Sequence, residues 1–86
     1  MEGGQIRVRV RFFAAPREAI GMGEIERQIP AGTTVGELIQ LLTKEYPALR
    51  PYTRFINVAV NRAYVGMQKE LHDGDDVACL PPVGGG

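Results

Sequence analysis

The 86-residue chain has no tryptophan, one cysteine and one histidine, and its ten basic and ten acidic residues cancel. Each shortage excludes something. A single thiol, Cys79, closes no disulfide within the chain, so a reducing compartment is expected and one small core must hold the fold. One histidine and one cysteine cannot build a zinc site from the usual spacings. A net charge of zero argues against nucleic acid as the main partner, because phosphate neutralisation needs a basic surplus. No apolar run approaches a membrane span. The opening MEGGQIRVRV lacks the basic region and apolar stretch of a secretory leader. A cytoplasmic protein with no membrane partner is expected.

Cofactor signatures are equally scarce. Asp73, Asp75 and Asp76 suggest a cation loop, but the twelfth position holds Gly84 instead of glutamate. A hairpin-type turn is the better reading of those aspartates. GMG at 21–23 lacks the spacing of a dinucleotide-binding turn, and no lysine-bearing phosphate loop occurs. No metal and no cofactor, ATP included, is expected on this chain. His72 reads as a solvated turn residue, and Cys79, among Val77, Ala78 and Leu80, as a buried inert thiol.

What is present is patterning. Residues 1–5 read as a loose leader. Ile6, Val8, Val10 and Phe12 alternate with Arg7, Arg9 and Arg11, the period of a half-buried strand. Residues 14–23, with Pro16 and two glycines, read as a connecting loop that could hold a helical turn. EIERQI alternates again. Thr34 and Glu37 have capping-box spacing, and Val35, Leu38, Ile39, Leu42 and Tyr46 share one helical face before Pro47 stops the helix. A strand at 56–60, a turn at Asn61-Arg62, a short strand at 63–65, a turn at HDGDD and a last strand VACL complete the order. Two strands, a helix and three further strands predict an α+β roll, a mixed sheet packed on one main helix, as in the ubiquitin-like β-grasp. The single domain is expected over 6–80, with a tail at 81–86.

That tail reads PPVGGG. Pro81 and Pro82 favour an extended, stiff stretch, and six residues reach roughly 20 Å. Val83 follows, and Gly84, Gly85 and Gly86 lack a Cβ, so they can enter a channel too narrow for other residues. The terminal carboxylate is left unhindered. It is a poor electrophile until coupled to AMP; sulfur or an amine can then attack it.

RFFAAPREAIG after the first strand, TVGELIQLL opening the helix, VAVN in the hairpin and LHDGDDVACLPPVGGG at the end together resemble the MoaD/ThiS family of ubiquitin-like sulfur carriers. Within it, the resemblance is to the small subunits of molybdopterin synthase. It covers residues 6–86. The resemblance implies that an adenylating enzyme similar to ubiquitin-activating enzymes spends ATP on the Gly86 carboxylate, and that a sulfurtransferase makes it a thiocarboxylate. The large synthase subunit, bearing the catalytic residues, would then direct that sulfur to cyclic pyranopterin monophosphate. Gly85 and Gly86 would carry the function. Carriers for thiamin or tRNA thiolation, protein modifiers, and a non-covalent ubiquitin-like module are the alternatives.

Strand parity names a candidate gripping surface. With Ile6 to Phe12 inward, Phe13 points to the opposite face. With Val58, Val60 and Val65 inward, Tyr64 faces out. With Val77 and Cys79 inward, so does Leu80. Phe13, Tyr64, Leu80 and Val83 form a candidate partner-binding cluster near the tail root. The resemblance adds Arg17 beside it as a basic position facing a partner carboxylate. Arg7, Arg9 and Arg11 read as a plain solvated face.

Overall fold

The computed structural model describes residues 4–81. The tail from Pro82 to Gly86 lies outside the described residues. Strand β1 (Gln5–Phe12) is followed by helix α1 (Ala14–Ile20), strand β2 (Glu24–Pro30), helix α2 (Val35–Glu45) and a 3₁₀ helix at Pro47–Tyr52. Strands β3 (Asn57–Val60), β4 (Ala63–Val65) and β5 (Asp76–Leu80) complete the chain. The five strands form one mixed sheet in the order β2-β1-β5-β3-β4, with β1 and β5 parallel and every other pair antiparallel. This is the expected α+β roll.

The alternation in β1 does what its period requires. Val8, Val10 and Phe12 are buried, whereas Arg7 and Arg9 are exposed and Arg11 is half-buried on the outer face. Helix α2 covers the inner face with Val35, Leu38, Ile39 and Leu42, which meet Ile25, Ile29, Val58, Val60, Val77 and Cys79 in one continuous core. Its start is fully bonded. An α-helix leaves its first four N–H groups without helical acceptors. Here Thr34 N–H donates to Glu37 Oε1 (2.9 Å), and Glu37 N–H donates to Thr34 Oγ1 (3.2 Å). Val35 N–H donates to the Lys69 carbonyl (2.9 Å) and Gly36 N–H to the Met67 carbonyl (2.8 Å). Gly36 permits that approach, because a Cβ there would stand 3.3 Å from the Met67 carbonyl oxygen.

Three stretches differ from the sequence expectation. Residues 14–20 form a true helix, with Pro16 buried in its first turn, where the missing N–H costs nothing. Gly21, at φ 75°, ends it. Pro47 stops α2, but a 3₁₀ helix follows at once and buries Leu49. The HDGDD turn is not a hairpin, since β4 and β5 are separated by β3. Its aspartates are internal ties. Asp73 accepts from Arg7 N–H (2.8 Å), and buried Asp75 accepts from Asn61 Nδ2 (2.9 Å) and His72 N–H (2.8 Å).

The outer edge of β2 has a cover of its own. The Arg27 guanidinium bonds both Glu45 oxygens (3.0 and 2.9 Å), the Tyr46 hydroxyl (2.7 Å) and the Glu26 carbonyl (2.8 Å). The hydrogen bonds to Glu45 raise its pKa above the usual arginine value.

The β3–β4 turn has Asn61 at φ 52° and Arg62 at φ 74°, the paired left-handed geometry of a type I′ hairpin. An L side chain in that region costs ~1–2 kcal/mol, partly offset by the ~0.5–1 kcal/mol of flexibility a glycine would add to the unfolded chain. Arg62→Gly is therefore expected to stabilise the fold by about 0.5–1 kcal/mol, read as a higher urea midpoint at unchanged slope.

Candidate functional site

The candidate site is the point where β5 leaves the sheet. Val77 and Cys79 are fully buried, and β5 is bonded along both edges, to β1 through Phe12↔Cys79 and to β3 through Asn57↔Leu80. Its start is tied as well: Arg9 N–H donates to the Asp75 carbonyl (3.0 Å), Asn61 N–H to the Asp76 carbonyl (2.8 Å), and Asp76 N–H to Asn61 Oδ1 (3.0 Å). At the exit, Asn57 Nδ2 donates to the Pro81 carbonyl at 3.4 Å. A strand held on both sides can open only with the whole sheet. Pro81, the first tail residue, is therefore delivered from a fixed root.

Parity places the expected outer-face residues as follows. Phe13 continues β1 in extended geometry (φ −131°, ψ 153°) and is half-buried. One step past the Phe12↔Cys79 pair, it stands beside Leu80, also half-buried. Tyr64 is 65% exposed on the same face but two strands away, behind Ala59 and Ala78. Phe13 and Leu80 are thus neighbours, and Tyr64 stands apart across a floor of small residues. Arg17 is exposed on α1, its guanidinium against Gly23. Pro82, Val83, Gly84, Gly85 and Gly86 lie outside the described residues.

Two of the outer arginines, Arg9 and Arg11, lie in cross-strand ion pairs. Arg11 meets Asp76 through two hydrogen bonds (3.0 and 2.9 Å), and Arg9 reaches Glu24 at 3.3 Å. Exposed pairs like these contribute little stability, but they occupy the charges that an anion would need. Among the described residues no three His, Cys, Asp or Glu side chains converge as metal ligands do. No helix there is long and apolar enough to cross a membrane.

Sequence patterning missed one feature of this region. Phe55, 61% exposed, stands with Tyr52 beside Leu80 and Pro81. The stretch PYTRF has neither helical nor strand period, so its only signal was two aromatics close together in a connection.

Residues 10–86 match the ThiS family. The chain belongs to that family. Two relatives of this ThiS-family chain match nearly full length. One, named Molybdopterin synthase sulfur carrier subunit, from Mycobacterium tuberculosis, is 39% identical over 82 residues, covering 94% of this chain and 99% of its own. The other, Small archaeal modifier protein 3 of Haloferax volcanii, is 34% identical over 95 residues, covering 94% and 100%. Among solved structures, the complex of subunits 1 and 2 of molybdopterin-converting factor from Helicobacter pylori contains a chain that superposes with a TM-score of 0.67. That chain is 27% identical, with 94% of this chain and 100% of that one covered.

Cys79, the one thiol of this ThiS-family chain, is placed to stay out of the chemistry. Burial pushes its pKa from 9.0 up to about 12. The unfolded thiol ionises first, so Cys79 contributes stability that is complete below pH 9.0 and fades as pH rises towards about 12. Wild type is expected to lose stability above pH 9 more steeply than Cys79→Val, checked by urea midpoints against pH. At pH 8 a thiol reagent should label Cys79 only at the rate of unfolding.

Proposed function

We propose that this chain is the sulfur-carrying small subunit of a molybdopterin synthase, working in the cytoplasm. The observation that carries this reading is a β-grasp strand pinned on both edges that leads straight into a tail ending in Gly84-Gly85-Gly86. The relative named as the sulfur carrier subunit supports it.

The chemistry follows from the carboxylate. A Gly86 carboxylate oxygen attacks the α-phosphate of ATP held by the adenylating partner, and pyrophosphate leaves. The acyl adenylate is uncharged at carbon and has AMP as its leaving group. A persulfide on the sulfurtransferase displaces AMP to give an acyl disulfide; a second thiol then attacks the sulfurtransferase sulfur, forms a disulfide with it, and releases the thiocarboxylate on Gly86. The sulfur is then passed to cyclic pyranopterin monophosphate in the large subunit, and water restores the carboxylate. Val83 and the glycines thread the partner's channel. Phe13, Leu80 and Tyr64 meet its apolar surface, and Arg17 pairs with a carboxylate at the rim. The Helicobacter complex of subunits 1 and 2 supports a large-subunit partner.

The modifier reading is favoured by the archaeal relative. It shares the adenylate and differs in the acceptor, a lysine amine in place of sulfur.

Incubation with an adenylating enzyme, ATP and a sulfur donor should raise the protein's mass by one oxygen-for-sulfur exchange, and deletion of Gly86 should abolish the gain. The same gain in the truncated chain would remove the tail from the mechanism; lysine-linked products in place of the sulfur gain would favour the modifier. Leu80→Asp should weaken large-subunit binding at least tenfold, the loss expected when a central apolar contact is replaced by a charge. Its circular dichroism should match wild type, because Leu80 stands on the outer face.

A further inference from the structure

A groove of about 390 Å³ runs between strand β2 and helix α2, at the opposite end of the strand order from β4. Its floor is Ile29, Leu38 and Leu42, and Leu41 stands beside them, 46% exposed. Val35, Leu38, Ile39 and Leu42 of α2 are spent on the core, whereas Leu41 takes no part in it. The charges at the rim are not balanced. Arg27 and Glu45 are bonded to each other, but Lys44 has no ion-pair or hydrogen-bond partner among the described residues.

One wall of the groove is a strand edge, and its register tells which backbone groups are open. Phe12 N–H donates to the Gly23 carbonyl and Ala31 N–H to the Gly4 carbonyl. Between these two bonds, Ile25, Arg27 and Ile29 therefore bond β1, while Glu24, Glu26, Gln28 and Pro30 turn their N–H and C=O groups outward. Beside the groove most of these are taken. The Glu26 carbonyl accepts from Arg27 Nη1 (2.8 Å). Pro30 has no N–H, and its carbonyl accepts from the Thr33 hydroxyl (2.7 Å) and N–H (3.2 Å). Gln28, exposed between the two blocks, keeps both its donor and its acceptor open among the described residues.

We propose that this groove receives a short extended segment of a partner protein, added as a strand at Gln28, with an apolar residue on each side of the paired one and an acidic residue beyond. Main-chain bonds to Gln28 give the hold, and the alternate side chains give the selectivity. A residue opposite Gln28 shares its outer face, so its two neighbours, roughly 6.6 Å apart, point inward against Leu41 and the floor. The next inward position lies past the apolar floor. Lys44 also lines the adjoining hollow beside Pro30 and Gly32, so its charge stands at that end of the groove and an acidic side chain complements it. The blocks at Glu26 and Pro30 leave one full pairing position, which suits a short segment and not a long strand. The groove is two strands away from β5, so this surface goes beyond the sulfur-carrier reading and does not rest on it.

Titration of the full-length chain with the synthetic peptide Asp-Ser-Val-Thr-Ile-Ser-Asp, followed by nuclear magnetic resonance, tests this. Saturable shifts should centre on the Gln28 amide and the Leu41 methyl groups. N-methylation of the peptide's threonine, which removes the donor to the Gln28 carbonyl, should weaken binding about tenfold. N-methylation of its isoleucine, whose N–H faces away from β2, should leave binding unchanged. Replacing both aspartates by lysine, or Lys44 by glutamate (Lys44→Glu), should cost about threefold or more, as for an exposed ion pair. Deletion of Gly86 should change nothing. No saturable shift at Gln28 and Leu41 with millimolar peptide would overturn the proposal, as would equal losses from the two N-methyl peptides. Shifts at Gln28 that grow with protein concentration in the absence of peptide would assign the groove to a second copy and overturn it too.

Discussion

Everything that the tail can do rests on β5 lying between β1 and β3. A strand at the sheet's edge would present one bonded side and could peel away under load. One in the interior is released only when two ladders and the core beneath them give way together. The core beneath is dense at this place, since Val77 and Cys79 are both at 0% exposure and face α2. The ties at the start of β5, from Arg9 and the Asn61–Asp75–Asp76 group, remove the remaining freedom to slide. A parallel neighbour has a further effect. Because β1 and β5 run the same way, the chain leaves the sheet where β1 turns into α1, and Leu80 and Pro81 line one cleft with Ala14, Ala15 and Pro16.

The same arrangement explains why so few reactive side chains are needed. The polar groups that are buried belong to architecture: Asp75 holds a turn and Thr33 bonds the Pro30 carbonyl at 2.7 Å. No buried side-chain nitrogen or oxygen among the described residues lacks a partner. The thiol is sealed under the helix. On the proposed function a body that does not react is an advantage, since a nucleophile near the activated terminus would compete with the sulfur donor.

Most of this was legible in the sequence, for reasons that can be located. The arginine-valine alternation of β1 and the Thr34–Glu37 capping pair are local signals that tertiary packing had no cause to override. Asn61-Arg62 announced a turn because asparagine tolerates left-handed geometry. The α1 helix was hidden because Pro16 and the glycines at 21 and 23 look like breakers, although Pro16 sits in the first turn and Gly21 just past the end, where each is at home. The 3₁₀ helix carries two prolines and no helical period. The aspartates of the HDGDD turn looked like loop chemistry because their partners, Arg7 and Asn61, are brought to them only by the fold. For the candidate site, parity identified the faces of Phe13, Tyr64 and Leu80. It could not reveal Phe55, whose position depends on how an irregular connection packs.

The Arg27 cover on β2 bears on how such a protein lives among its own copies. A lateral strand with free ladder groups is a template on which identical chains can stack. By laying its guanidinium across the Glu26 carbonyl while anchored to Glu45 and Tyr46, Arg27 occupies one of the acceptors that stacking would use. The free edge of β2 is thereby blunted against pairing with another copy of the chain.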